Sequence, residues 1–271
     1  MKNNPDAFSQ KFNLPYSALT TTGKIKMDWL LSVFQDAASA HCHALGISGF
    51  DMAPKNLKWV VTQYRIKIHK HIDWMTPLVV QTWRTAWKNL YEVRRFRLLA
   101  EQEQTVDSPP CPMVTASSIW ILIKSTNNRP VRLSQHMPPS LTTSPAQEPA
   151  ERIKPKAYLT HADYECTFPV HFLDLDLNEH VNNPVYVKWA VQSLPDTLNF
   201  EYTPVTCDVT YQKEALPGDT VQSRISINYE NDRLFTDHFI VRHTSKENLA
   251  HLTITWKKTG PQSLFHTTNT D

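Results

Sequence analysis

A long segment with almost no charged side chains dominates the first half of the sequence. Between Trp29 and Leu45 the only acidic or basic side chain, histidines aside, is Asp36. Asp28 is a candidate N-cap and Gly46 a candidate stop, so a helix is predicted from Trp29 to Leu45. Because apolar residues lie around most of this helix, it needs cover on several sides. A β-sheet wrapped around one central helix would provide that cover.

The segments around this helix have the composition and alternation of β-strands. In one of them Tyr64 and Ile66 alternate with Arg65 and Lys67, as expected for a strand with one buried face. The predicted strands are a short one within residues 12–27, then 57–69, 78–86, 91–101 and 113–124. The first half therefore predicts one buried helix and four or five antiparallel strands.

A proline-rich connector, residues 138–158, separates the two halves of the chain. The same order of elements follows it: a strand at 166–172, a helix at 184–194, and strands at 205–212, 221–229, 234–243 and 249–257. Trp120 and Trp256 fall in the last strand of each half. The predicted domains are therefore 1–137 and 159–271, joined by the connector. Periodicity alone predicts an α+β protein with antiparallel sheet.

Just before the second helix, polar side chains recur at every second position: Asp174, Asp176, Asn178 and His180. An extended segment would place all four on one side. Asn182 or Asn183 is a candidate N-cap and Pro184 suits the first helical position, so free backbone N–H groups should follow. These groups together could polarise a carbonyl, position water and accept its proton. Asp174 or Asn182 could equally serve as a cap only.

The string D-L-D-L-N-E-H-V-N-N over residues 174–183, with Tyr186 and Trp189 after it, resembles the acyl-ACP thioesterase family. Further similarities lie in N-L-K-W-V-V at 56–61, in the tryptophans of D-W at 73–74 and T-W at 82–83, and in Y-Q-K-E at 211–214. The resemblance spans residues 10–258. It implies two hotdog folds in tandem, each an antiparallel sheet wrapped around a central helix.

The resemblance also implies which residues act on a substrate. The catalytic residues it implies are Asp176, Asn178, His180 and Glu214. Asn178 and His180 would contact the thioester carbonyl or the water, and Glu214 or Asp176 would accept the proton. The first half lacks this polar set, so it should hold the acyl chain instead. The candidate chain-binding residues are Phe34, Trp59 and Trp83.

One position departs from the family pattern. Many plant members have cysteine after the glutamate, whereas this chain has Ala215. A thiol there cannot be required, so we expect direct attack by water without an acyl-enzyme. Cys207 and Cys166 are the nearest alternative nucleophiles in the sequence.

The partner implied by the resemblance is acyl carrier protein, which is acidic. A basic face could bind it, and the candidate docking residues are Arg65, Lys67, Arg94, Arg95 and Arg97. A plain solvated sheet face is the alternative. The formal net charge of +2 carries no nucleic-acid signature. No cofactor or metal is expected: His41 and His43 diverge at a spacing of two on a helix, and H-E-x-x-H is absent.

Three other functions remain open from the residues: an acyl-CoA thioesterase of the same fold, a hotdog dehydratase, and a non-catalytic acyl-binding protein. The polar residues 1–11 lack the apolar core of a secretory signal, and four scattered cysteines suit a reducing compartment, so a cytoplasmic location is expected. No apolar run approaches the ~20 residues of a membrane span. Two fused hotdogs make a monomer feasible, and a homodimer is the alternative.

Overall fold

The fold was analysed in a computed structural model, which describes residues 7–101, 111–142, 151–154, 156, 159 and 161–260. The strands are β1 (Phe8–Asn13), β2 (Leu57–Ile68), β3 (Pro77–Trp87), β4 (Tyr91–Ala100), β5 (Val114–Lys124), β6 (Tyr164–Pro169), β7 (Tyr202–Tyr211), β8 (Thr220–Glu230), β9 (Arg233–Arg242) and β10 (Asn248–Lys258). The α-helices are α1 (Met27–Ala44), α2 (Gly49–Met52), α3 (Pro139–Thr142), α4 (Asn183–Gln192) and α5 (Asp196–Glu201). Among the described residues, no helix is long and apolar enough to cross a membrane.

The chain divides into two compact units that are not contiguous in sequence. The first contains the described residues of 1–13, 33–70 and 76–152, and the second those of 14–32, 71–75 and 153–271. The predicted boundary between the halves therefore captures most, but not all, of this division. The connector 138–158 falls partly outside the described residues, and its role as a domain linker stays a prediction.

In the first unit the strands are antiparallel neighbours in the order β1-β3-β4-β5-β2. The half of α1 that belongs to this unit packs on the sheet, and the rings of Phe34 and Phe96 lie 4.9 Å apart. The sheet also buries Tyr64 and Ile66, whereas the alternating Lys67 is exposed. The half-buried strand predicted from this alternation is confirmed.

Two details of the first helix differ from prediction. It begins at Met27, so Asp28 lies inside the first turn and not at the N-cap. A carboxylate there still interacts favourably with the helix dipole. The helix is also less enclosed than predicted, because Asp36, Ser39 and His43 are exposed. Its buried residues form one stripe, which is sufficient for packing on one sheet face.

In the second unit the strands are antiparallel neighbours in the order β7-β10-β9-β8-β6. Helix α4 contacts β8, β9 and β10 and buries Tyr186, Val187 and Trp189. Trp256 of β10 is also buried, and its indole N–H donates to the Thr236 hydroxyl at 2.9 Å. The sheet and α4 thus share one core, and the N-terminus of α4 brings the loop before it to the edge of that core.

Candidate active site

The loop before α4 is a tight turn and not the extended segment predicted from its alternation. Residues 172–174 form a 3₁₀ turn. The N–H of Asp176 donates to the carbonyl of His180 at 2.8 Å, and the N–H of Glu179 donates to that of Asp176 at 3.1 Å. Glu179 has a left-handed φ of 61°. A bridge between Leu175 and Val181 closes the loop. The predicted extended segment is therefore wrong, and Leu173 and Leu177, which alternate with the polar residues, are exposed.

The carboxylate of Asp176 organises this turn. One of its oxygens accepts from the N–H of Asn178 at 2.8 Å and from the N–H of His180 at 3.4 Å. The other oxygen accepts from the side-chain amide of Asn178 at 3.3 Å. Asp176 therefore fixes both the backbone and the amide of Asn178. This is the behaviour of a short acidic side chain that hydrogen-bonds the backbone two residues on.

The loop brings His180 next to Glu214, which follows β7. Nε2 of His180 lies 3.3 Å from a carboxylate oxygen of Glu214, and the two side chains are 22% and 36% exposed. An imidazole and a carboxylate at this distance can exchange a proton with each other and with a bound water. Because both side chains remain partly exposed, a substrate can reach them.

Backbone contacts hold the Glu214 segment against the same loop and helix. The N–H of Val181 donates to the carbonyl of Ala215 at 3.0 Å. The N–H of Ala215 donates to the hydroxyl of Tyr186 at 2.9 Å. Burial raises the pKa of Tyr186 to about 12, so the hydroxyl stays neutral. Tyr186 was noted in the sequence only as part of the family resemblance, and its contact with Ala215 pairs residues too distant in sequence for a local pattern to reveal.

The start of α4 confirms Asn182 as the N-cap, but the helix begins one residue before the predicted Pro184. Asn182 is the N-cap and has extended backbone, and Pro184 is the second helical residue. The hydroxyl of Tyr211 donates to the carbonyl of Asn183 at 3.1 Å, which ties β7 to the first turn. Asp174 acts as a cap, as the alternative interpretation allowed, because its carboxylate accepts from the N–H of His171 at 2.9 Å.

The candidate chain-binding residues all lie in the first unit. Phe34 is fully buried, Trp83 is 8% exposed, and the guanidinium of Arg97 lies 4.8 Å from the Trp83 ring. Trp59 is partly exposed, and its indole N–H donates to the carbonyl of Ile47 at 2.8 Å. The role of these three residues in binding an acyl chain stays a prediction.

The candidate docking residues do not form one solvated face. Arg94 is 1% exposed and Arg97 is 6% exposed, so neither is available to a partner protein. Including them in a surface cluster was wrong, because Arg94 points to the opposite side of the sheet from Arg95, and Arg97 packs on the Trp83 ring. Arg65 is paired with Glu151, Arg95 is partly exposed and Lys67 is exposed.

Arg94 belongs to a buried charge network instead. The carboxylate of Glu92 accepts from Arg94 at 2.9 Å and from Arg84 at 2.6 Å. Arg94 also donates to Nδ1 of His41 at 3.1 Å and lies 3.0 Å from the sulfur of Cys42. Burial, together with Arg94, lowers the pKa of His41 to about 4, so Nδ1 remains an acceptor. The network fastens α1 to the sheet by polar contacts.

Comparisons with known proteins agree on one family. The acyl-ACP thioesterase N-terminal domain family matches residues 5–138, and the acyl-ACP thioesterase C-terminal domain family matches residues 158–258. The palmitoyl-acyl carrier protein thioesterase of Gossypium hirsutum is 24% identical over 237 residues, which are 83% of this chain and 56% of that protein. The chain thus spans little more than half the length of that curated relative.

Solved structures show the same fold. The 12:0-ACP thioesterase from Umbellularia californica superposes with a TM-score of 0.78 at 17% identity, covering 93% of this chain and 94% of that one. An acyl-ACP thioesterase from Bacteroides thetaiotaomicron gives a TM-score of 0.77 at 16% identity, covering 93% and 98%. The expected tandem hotdog architecture is confirmed. With both of its family domains matched in order along the sequence, the chain belongs to the acyl-ACP thioesterase family.

Proposed function

We propose that this protein hydrolyses the thioester of a fatty acyl-[acyl-carrier-protein], releasing free fatty acid and the carrier with its free thiol. The observation that supports this most is the His180–Glu214 pair, joined at 3.3 Å in a partly exposed site. Family membership and relatives named as acyl-ACP hydrolases supply the substrate class. Neither observation alone would be sufficient, because histidine–carboxylate pairs also occur as structural contacts.

In the proposed reaction, water attacks the thioester carbonyl directly. Glu214 accepts a proton from the water, and His180 delivers a proton to the departing sulfur. The proton on Glu214 then passes to His180 across their 3.3 Å contact, so water and thioester give one acid and one thiol and both side chains are restored. The amide of Asn178 donates to the carbonyl oxygen as negative charge develops on it. Both carboxylate oxygens of Asp176 accept hydrogen bonds from Asn178 or from the His180 backbone. We therefore assign Asp176 the role of orienting Asn178. The base is then Glu214.

The proposal excludes an acyl-enzyme. Ala215 has no nucleophilic atom, and Cys207 is fully buried. Burial, helped by Asp208, raises the pKa of the Cys207 thiol far above its ordinary value, so the reactive thiolate is disfavoured. Cys166 lies on β6 beside Ser223. An acyl group trapped covalently on the protein with a slow substrate would overturn this part of the mechanism.

The two family domains would have different roles in the reaction. We assign residues 159–271 the chemistry, because all four candidate catalytic residues lie there. Residues 1–137 would bind the acyl chain through Phe34, Trp59 and Trp83. The acidic carrier protein would dock through cations that remain accessible, of which Lys67 is the clearest. The expected cytoplasmic location and the choice between monomer and homodimer stay predictions.

The first experiment measures release of free fatty acid from a panel of acyl-ACPs and acyl-CoAs. We expect turnover of acyl-ACP by the wild type, and a large loss in His180→Ala and in Glu214→Gln. His243→Ala, which removes an exposed histidine outside this loop, is the matched control and should retain activity. Turnover of acyl-CoA alone would reassign the carrier. Binding of acyl-ACP without turnover would make the protein a non-catalytic binder.

A second experiment separates carrier docking from chemistry. Lys67→Glu should slow hydrolysis of acyl-ACP, with the defect growing at low salt, and should leave a small thioester unaffected. Charge attraction steers a large acidic partner but has no role for a small neutral substrate. An equal effect on both substrates would remove Lys67 from the docking surface.

A further inference from the structure

We propose that Arg242 on β9 is a positioning residue for Glu214. This inference rests on the proposed function, because Glu214 matters to the reaction only if it is the base. The guanidinium of Arg242 donates to the backbone carbonyl of Glu214 at 3.0 Å. A second nitrogen of the same guanidinium pairs with the carboxylate of Asp219, and its Nε lies 3.5 Å from a carboxylate oxygen of Glu247. Arg242 is only 17% exposed, so these contacts are largely shielded from water.

The contacts of Arg242 span the whole segment that carries the base. Asp219 is itself folded back on this segment, because its carboxylate accepts from the N–H of Leu216 at 2.9 Å. The N–H of Asp219 donates to the carbonyl of Leu216 at 3.1 Å. Arg242 therefore binds both ends of residues 214–219, at the Glu214 carbonyl and at the Asp219 side chain. Gly218, with φ of +83°, allows the turn between them.

The N–H of the same peptide group points away from its carbonyl, because the peptide is trans, and it is held as well. Ala215 donates its N–H to Tyr186 of α4 and offers its carbonyl to Val181 of the catalytic loop. The peptide group between Glu214 and Ala215 is thus held at both ends: Arg242 on β9 binds its carbonyl, and Tyr186 of α4 binds its N–H. This frame sets the direction in which the Glu214 side chain leaves the backbone towards His180.

The chemistry of the guanidinium explains why arginine suits this position. It offers five N–H donors in a fixed plane, so it can bind a carbonyl and two carboxylates at once. A lysine ammonium at the same place is a single point of charge on a flexible stem. The Asp219 and Glu247 carboxylates balance the charge of Arg242 together with that of Lys213, whose ammonium lies 3.8 Å from Glu247. Its effect on the site should therefore be geometric, through the orientation of Glu214.

The test compares Arg242→Gln and Arg242→Lys with the wild type under the same acyl-ACP assay. Misplacing the base should lower kcat by about 10- to 100-fold while KM changes little, because catalysis is sensitive to displacements near 1 Å. Arg242→Lys should behave like Arg242→Gln. A kcat within twofold of the wild type in both variants would overturn the proposal.

Arg224→Gln is the matched control for a merely structural role. Arg224 lies on β8 of the same sheet, is 14% exposed, pairs with Glu165 and donates to the carbonyl of Leu159 at 2.9 Å. Its loss should lower the melting temperature by an amount similar to that of Arg242→Gln and leave kcat unchanged. An equal loss of kcat in the two variants would show that Arg242 acts through general stability and would contradict the proposal.

A spectroscopic measurement decides the question without turnover. The ¹⁵N shift of His180 Nε2 should change in Glu214→Gln, because the neighbouring carboxylate is lost. Arg242→Gln should move the same resonance in the same direction, and Arg224→Gln should not. If the wild type hydrolyses no thioester, the proposed function fails, and this shift still shows whether Arg242 positions Glu214. An unmoved resonance in Arg242→Gln would refute the positioning role whatever the activity.

Discussion

The hydroxyl of Tyr186 accepts a hydrogen bond from the backbone N–H of Ala215 at 2.9 Å. Both residues are buried, so water cannot replace either partner. Removing the hydroxyl leaves a buried N–H without this acceptor, while the ring contacts of Tyr186 with Trp189 and Tyr211 can persist. The bond therefore links α4 to the segment that carries Glu214, and it can be deleted without creating a large cavity.

Tyr186→Phe should lower the free energy of unfolding by about 1–3 kcal/mol, the range for leaving a buried backbone donor unsatisfied. Urea denaturation measures this change. Tyr229→Phe removes a hydroxyl from a residue that is 55% exposed and should change the same quantity by at most about 0.5 kcal/mol. Equal effects in the two variants would mean that the Tyr186 contact adds nothing to stability.

Asp176→Asn should reduce kcat by roughly 10- to 100-fold, because Asn178 loses the carboxylate that fixes its amide. The new amide offers one acceptor oxygen where the carboxylate offered two. Steady-state kinetics with acyl-ACP measures the effect. Asp174→Asn alters a cap in the same loop and should leave kcat nearly unchanged. If Asp176→Asn retained full activity, the orientation of Asn178 would not depend on this carboxylate.

Glu92→Gln should destabilise the first unit by about 3–5 kcal/mol, because it leaves two buried guanidinium groups without their shared counter-charge. Burial opposes ionisation of Glu92, but Arg94 and Arg84 outweigh it and hold the pKa of this carboxyl below its usual range. Chemical denaturation measures the loss. Glu165→Gln breaks the pair with Arg224, whose acid is 42% exposed, and should lose about 1 kcal/mol or less. Comparable losses would refute a special role for the buried network.

Stability should fall as the pH drops below about 6.5, the ordinary value for histidine, partly because of His238. Burial lowers the pKa of this fully buried imidazole to about 3; Asp237 opposes the shift and His251 adds to it. The unfolded chain therefore takes up the proton first, so the contribution is complete above pH 6.5 and is lost as the pH falls towards 3. His238→Gln should flatten the dependence of the denaturation midpoint on pH between 6.5 and 4. Parallel curves for the two proteins would exclude His238 as a source.

Regular elements could be predicted well from the sequence, because their periodicity is a local property. The helix at Asn183–Gln192 and its Asn182 cap follow from N-N-P and the apolar spacing after it. The edge strand Phe8–Asn13 was missed because its residues are mostly exposed and show no buried alternation. The loop before α4 was misjudged for a different reason. Polar residues at every second position occur in strands, but they also occur in this turn, which the Asp176 side chain closes by accepting from the N–H of Asn178.

Contacts between distant residues could not be predicted from local patterns. The family resemblance implied Glu214 beside His180, and the structure places their side chains together. The prediction grouped Arg94, Arg95 and Arg97 because they are neighbours in sequence. Arg94 is instead buried in an ion pair with Glu92 of the same strand. Arg242 was not singled out at all. Nothing in the sequence around a lone arginine near a strand end indicates which carbonyl it will bind.

Ala215 is fully buried, and both of its peptide groups are occupied by Tyr186 and Val181. A side chain at this position meets only protein atoms, so its volume matters and its reactivity does not. The cysteine found there in related plant enzymes would, in this setting, be a slightly larger spacer with no route to a substrate. The exchange of cysteine for alanine is then a change of fit beside Glu214, and the proposed attack by water does not depend on it.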